Sequence, residues 1–319
     1  MPAKTAVDLQ REVGHPKERW EALIASIPGG AVMRFAQVER DWLDLMWCLD
    51  AYRTAGIYTP GMGKPTLTDS ERLAAVYRGK GNWFATLLAA LLVERTHGQH
   101  ILAPRGAVIG FSQDHQVDIA WPARKKDPLI CVETKVTGAP AYGEAGRPRG
   151  GMSDFTNRRK ELKFAATDLK LYRRQQETSI DHWGVWRSHA RPLTYFLWAA
   201  RLRESGPLDS SGRRKWAEDR IGKLVTEAQA LVNTYLDGAG IYAWKLKQDR
   251  SGYEPVPLPR QAQVSSLDDV LYRIASEINR ATADAGGQVP PPVSPPEQAV
   301  QTELLTEDAE SQDAETNGS

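Results

Sequence analysis

Three residues of this chain combine acid and base chemistry at a suggestive spacing: Asp118, Glu133 and Lys135. In the run Ile130-Cys131-Val132-Glu133-Thr134-Lys135-Val136, a strand period of two puts Cys131, Glu133 and Lys135 on one face. Ile130, Val132, Thr134 and Val136 take the other, mostly apolar, face. A carboxylate and an ammonium on such a strand are costly to desolvate unless they have partners or work to do. The preceding run, 117–121, carries one charge, Asp118, between Val117 and Ile119. The connector 122–128 (PARKKDP) is short and polar, as a hairpin requires. If the two strands pair, Asp118 and Glu133 meet at one end of a sheet. Two converging carboxylates suit a hard divalent cation, which prefers oxygen ligands and keeps several waters for a phosphate group to replace. Such a cation binds phosphate, acidifies a bound water and offsets developing negative charge. Lys135 is placed to orient or deprotonate that water, or to stabilise charge. The competing reading is a surface hairpin with a Glu133–Lys135 ion pair, which is worth little.

The elements around these residues follow from apolar periodicity. Trp20, Leu23, Ile24 and Ile27 recur at helical spacing, as do Trp42, Leu43, Leu45, Met46 and Leu49, with Pro28-Gly29-Gly30 between them. Residues 59–65 (TPGMGKP) form a loop; it lacks the first glycine and the Ser or Thr of a phosphate loop. A short helix is expected near Ser70–Arg78. Gly79-Lys80-Gly81 then interrupts it, and a second helix follows from Asn82 to about His97. Strands are predicted at 100–103, 107–111, 117–121, 129–136, 193–200 and 241–246. Helices are predicted at 155–176, 216–236 and 267–282, the last opened by Ser266 and Asp269 in capping-box spacing. The expected fold class is α/β: a mixed central sheet flanked by helices, preceded by an N-terminal helical region. The expected division is 1–69 for the helical region, 70–283 for the catalytic domain and 284–319 for a disordered tail. That tail is rich in Pro, Gln, Ser and acid, with eight acidic residues and no Lys or Arg, and cannot offset its ordering entropy.

Asp118, fourteen intervening residues and then Glu133-Thr134-Lys135 resembles the core motif of the PD-(D/E)XK nuclease superfamily, the restriction-endonuclease-like fold. The resemblance covers roughly residues 70–250. It implies that Asp118 and Glu133 bind Mg2+, that the Thr134 backbone adds a ligand and that Lys135 serves catalysis. Val117 stands where the motif has proline. Many members place an acid on the helix before the strands, where this chain has Asn82; Glu71 and Glu94 are alternatives. The implied activity is magnesium-dependent endonucleolytic hydrolysis of DNA, in a restriction or phage-defence setting. A non-cleaving DNA-binding or assembly protein that keeps the fold is the alternative. Cutting both strands needs two sites, which favours a homodimer.

Charge agrees with a polyanionic partner. The net charge of +1 conceals the acidic tail; the rest of the chain carries 41 basic against 32 acidic residues. On the predicted helix at 155–176, Arg159, Lys163, Lys170 and Arg174 fall in one stripe, a candidate track for DNA phosphates, with Glu161 and Asp168 away from it. Its competing reading is a solvated helix face. His97 and His100 have no third ligand for zinc, and His182 and His189 fit loop packing or substrate contact. Most of the ten tryptophans occupy apolar positions and are expected in the core. There is no apolar run of membrane-spanning length and no signal-peptide core, and Cys48 and Cys131 form no disulfide or metal pattern. A cytoplasmic protein is expected.

Overall fold

The computed structural model describes residues 5–60, 62, 66–99, 101, 106–123, 125, 128–144, 146–152, 155–177, 191–203, 217–232, 234–259 and 264–284. Four helices come first: α1 (Ala6–Val13), α2 (Pro16–Ala25), α3 (Phe35–Thr54) and α4 (Asp69–Arg95). A hairpin of β1 (Gly106–Ile109) and β2 (Asp114–Val117) precedes β3 (Ile119–Trp121) and β4 (Ile130–Thr137). Then α5 (Phe155–Glu177), β5 (Leu193–Arg201), α6 (Ala217–Val232), β6 (Gly238–Leu246), β7 (Tyr253–Val256) and α7 (Leu267–Asp284) complete the fold.

Strands β3 to β7 form one five-stranded sheet in sequence order. The central strands β4, β5 and β6 run parallel, while β3 and β7 pair antiparallel at the two edges. Parallel central strands must be covered on both faces, and their composition shows it: β5 is buried at every position but its first. Alternation divides β5 cleanly. Tyr195, Leu197 and Ala199 join a core with α2, α3, α4 and α7, whereas Phe196, Trp198 and Ala200 join another with α5 and α6. The helical region at 1–69 and the segment 70–283 therefore share one hydrophobic core. Among the described tryptophans, Trp42, Trp121, Trp198 and Trp244 are buried in these clusters, as expected of core residues.

Three predicted elements need correction. The helices expected on either side of Gly79-Lys80-Gly81 are one continuous α4 of 27 residues. Tertiary contacts override the weak local propensity. A Cβ at position 79 would sit 2.2 Å from the Met62 methyl, so glycine lets that side chain pack against the helix. Lys80 is buried with its Nζ 2.5 Å from Asp50 Oδ1 of α3. Second, the expected strand 117–121 is broken at Asp118, which stands between β2 and β3. Third, the expected helix 216–236 ends at Val232, where the Tyr235 and Leu236 amides turn back to the Leu231 carbonyl. Strand β7, which contains Pro255, was not anticipated; an edge strand tolerates proline because one side of its ladder needs no donor. The expected strand 100–103 lies outside the described residues except for Ile101, as do the tail beyond Asp284, His100, His182 and His189. Among the described residues, no helix is long and apolar enough to cross a membrane.

Candidate active site

The hairpin that carries the motif forms as its polar connector and alternation require. Ile119 pairs with Val132 and Trp121 with Ile130, so Asp118 takes the next register position, opposite Glu133. The break in the strand frees Asp118 to turn its carboxylate onto β4. Its Oδ2 accepts bonds from the Thr134 amide at 2.7 Å and the Thr134 hydroxyl at 3.0 Å. In an antiparallel ladder a residue's N–H and C=O point to the same neighbour. The Thr134 carbonyl therefore also faces the Asp118 edge.

Glu133 lies on the α5 side of β4 with Lys135, whose Nζ is 3.7 Å from Glu133 Oε2. Both side chains keep partial access to solvent, 22% for Glu133 and 31% for Lys135. Burial and then the Asp118 charge push the Glu133 carboxyl up to about 8, against the opposing pull of Lys135. Two acids have been brought together, and Lys135 at 3.7 Å does not offset what burial and Asp118 impose on Glu133. That imbalance, together with hard oxygen donors from Asp118, Glu133 and the Thr134 carbonyl, fits a small divalent cation that retains water. Among the described residues, no group of three or more His, Cys, Asp or Glu side chains could hold a metal. Among the described side chains of the helix before the strands, neither glutamate named above joins the site: Glu71 closes the α4 capping box with Thr68, and Glu94 accepts from the Gly30 amide. Asn82 does reach the site, in the wall of the same cavity as Asp118.

Two cavities meet there. The larger, about 450 Å³, is lined by Asp118, Thr134, Lys135, Asn82, Tyr77 and the guanidinium residues Arg78, Arg149 and Arg158, among others. Four cationic side chains thus face one carboxylate. The smaller, about 240 Å³, contains Glu133 and His115 in its wall and shares Lys135 and Arg158 with the first. Arg149 comes from the loop that follows β4. Gly138, at φ +82°, ends β4 where a Cβ would meet the Arg201 carbonyl oxygen at 2.3 Å, and Ala139 then bridges back to Arg149. The Tyr77 ring carries Arg149 and Arg53 at 4.9 and 5.2 Å from its centroid, which fixes the edge of the cavity by cation–π contact.

The predicted DNA-binding stripe on α5 is corrected by the structure. Lys170 is buried, 2.7 Å from Asp237 and bonded to the Tyr235 carbonyl, so it cannot meet a phosphate. Arg159 pairs with Glu227 of α6 at 2.9 Å, and the Lys163 amine sits 4.7 Å above the Tyr235 ring. The Arg174 side chain lies outside the described residues. Helical periodicity groups charged residues but does not say which stripe faces a neighbouring helix. The side of α5 that meets the cavities lies one residue round, at Arg158, Glu161 and Ala165. Arg158 is held there by Glu161 at 2.6 Å. Sequence reasoning missed Arg158, Arg149, Arg78 and Tyr77. Only Arg158 had a local signal, its place on the same helix and its i,i+3 spacing to Glu161.

Comparison of the chain with protein-family models, with curated proteins and with solved structures returns no match.

Proposed function

We propose that this chain is a magnesium-dependent nuclease that hydrolyses DNA phosphodiester bonds at a PD-(D/E)XK-type site built on a restriction-endonuclease-like core. The observation that supports it best is the juxtaposition of Asp118 and a Glu133 carboxyl pushed up by burial with a cavity walled by Arg78, Lys135, Arg149 and Arg158. A site that only stored a structural ion would have no use for four cations beside it. A phosphodiester needs both features: acids for the metal and cations for the non-bridging oxygens. The helix–strand–helix–strand order after the motif, with β4, β5 and β6 parallel, supports the fold assignment.

In this reading Asp118 and Glu133, with the Thr134 carbonyl, hold the cation, which when bound supplies Lewis acidity toward phosphate and water. Thr134 fixes the Asp118 carboxylate through two bonds to one oxygen, so the acid is oriented before substrate arrives. Lys135 stands on the wall common to both cavities and stabilises charge on the phosphoryl oxygens. Arg149 and Arg158 bind flanking phosphates.

Incubation of the purified protein with supercoiled plasmid and with single-stranded oligonucleotide, with magnesium chloride or with chelator, tests the reading. Magnesium-dependent nicking or linearisation that disappears in Glu133→Gln supports it. Tight DNA binding without cleavage by the wild type would instead mark a non-cleaving DNA-binding protein on the same scaffold.

A further inference from the structure

The β1–β2 hairpin stands outside the five-stranded sheet, packs Val108 and Val117 with Leu169 of α5, and is hydrogen-bonded to that helix at Asp168. The Phe111 amide donates to the Asp168 main-chain carbonyl at 3.2 Å. The Ser112 amide and hydroxyl donate to Asp168 Oδ1 at 2.9 and 2.7 Å. Oδ2 lies 2.7 Å from His115 Nε2. Gly110 permits this approach, because a Cβ there would lie 2.2 Å from Asp168 Oδ2 and 2.7 Å from His115 Cδ2. Burial works to raise the Asp168 carboxyl, but the bonds from Ser112 and His115 outweigh it and hold it below the usual range. Asp168 is therefore a carboxylate and can only accept, which puts a proton on His115 Nε2 and leaves Nδ1 as the acceptor whenever the ring carries a single proton.

Ser112 and Phe111 already tie the turn to α5, so the histidine is more than the fastening needs. His115 is almost fully buried, yet it lines the 240 Å³ cavity that also contains Glu133, Lys135 and Arg158. That volume accommodates several waters at roughly 30 Å³ each. We infer that His115, oriented by the buried Asp168 carboxylate, accepts the proton of the attacking water from the smaller cavity, while the phosphodiester lies in the larger one. The water oxygen forms a bond to phosphorus and its proton passes to His115 Nδ1. The bond from phosphorus to the leaving nucleoside oxygen breaks, and that oxygen takes a proton from solvent. Asp168 is a positioning residue that sets the histidine tautomer.

The inference rests on the nuclease reading, and one set of measurements separates the two. With supercoiled plasmid and magnesium chloride, His115→Ala should lose about 10²–10⁴-fold in kcat, the usual worth of a positioned base, with KM little changed. Added imidazoles should restore cleavage, faster as their basicity rises, which a merely structural histidine would not show. Asp168→Asn, which keeps the shape and the Ser112 bonds but donates to Nε2 and so moves the ring proton to Nδ1, should lose activity while remaining folded by circular dichroism. It also decides the matter if His115→Ala does not fold. No cleavage by the wild type removes both readings. Wild-type cleavage matched by His115→Ala, or normal cleavage by Asp168→Asn, removes this inference and leaves the nuclease intact.

Discussion

Two clusters of charge lie on β4, β5 and their neighbours, and they are built to opposite rules. Around Asp50 one carboxylate meets Lys80 Nζ at 2.5 Å on Oδ1 and accepts from the Tyr253 hydroxyl at 2.7 Å on Oδ2. Arg201 Nε donates to that hydroxyl at 2.8 Å and lies 3.7 Å from Asp50. All four residues are buried, and two cations answer one acid. At the second site Lys135 Nζ stands 3.7 Å from Glu133, Asp118 is bonded by the uncharged Thr134 donors, and both acids line open cavities. A buried charge with its full set of partners holds elements together, here α3, α4, β5 and β7. An acid left short of positive charge is a place where something positive can be added.

The comparison breaks most sharply in activity. Glu133→Gln or Lys135→Ala should reduce cleavage by about 10³-fold or more, the scale of losing a metal ligand or a transition-state donor. The melting temperature should not fall, because neither side chain holds the core together. A variant that keeps wild-type turnover, after contaminating nucleases are excluded, would reassign the site.

The reverse pattern belongs to Asp50. Asp50→Ala takes the carboxylate from buried Lys80 and from the Tyr253 hydroxyl, which costs on the order of 3–5 kcal/mol. Calorimetry should show a fall in melting temperature of roughly 10 °C. A fall no larger than that of an exposed substitution would mean the cluster is not holding α3 to the sheet.

A smaller effect separates the clusters by pH. Folding raises the Glu133 pKa to about 8, above its unfolded value, so the folded chain holds a proton there that the unfolded chain releases. That contribution to stability is complete below the unfolded carboxylate pKa and is lost as pH rises toward 8. Glu133→Gln removes the loss. In chelator, its melting temperature should match wild type near pH 4 and exceed it by a few degrees at pH 9. Parallel curves for the two proteins would show that Glu133 ionises without penalty.

The smallest effect concerns DNA binding. Arg149→Gln or Arg158→Gln should each reduce the slope of log affinity against log salt by roughly one, whereas Lys170→Gln should leave the slope alone and lower stability. If Lys170→Gln changes the slope, the correction to the α5 stripe fails.

Sequence carried the motif well because strand alternation and a hairpin are local: Glu133 and Lys135 share a face, and Asp118 stands opposite Glu133. It could not show that Asp118 sits at a strand break, because Val117 and Ile119 suit continuous and interrupted strands equally. Helix α4 hid behind two glycines, since the reasons it continues, Met62 against Gly79 and Asp50 against Lys80, lie 17 and 30 residues away. The basic stripe was misassigned for a related reason. Periodicity placed Lys170 with Arg159, but only the fold brings Asp237 to Lys170 and Glu227 to Arg159. Arg149 and the His115–Asp168 pair left no local trace at all.

The core shared between the first helices and the sheet limits how portable this site is. Trp42, Leu45, Met46 and Leu49 of α3 belong to the same cluster as Phe84 of α4, Trp244 of β6 and Leu271 of α7. The start of the chain also holds the loop after β4: Arg53 Nε donates to the Pro140 carbonyl at 2.6 Å, and Tyr142 donates to the Gly56 carbonyl at 2.7 Å. A fragment beginning at residue 70 would bare an apolar face of the kind that drives association and release the loop that delivers Arg149. Anyone grafting this site onto another protein should therefore carry the chain from its first helix.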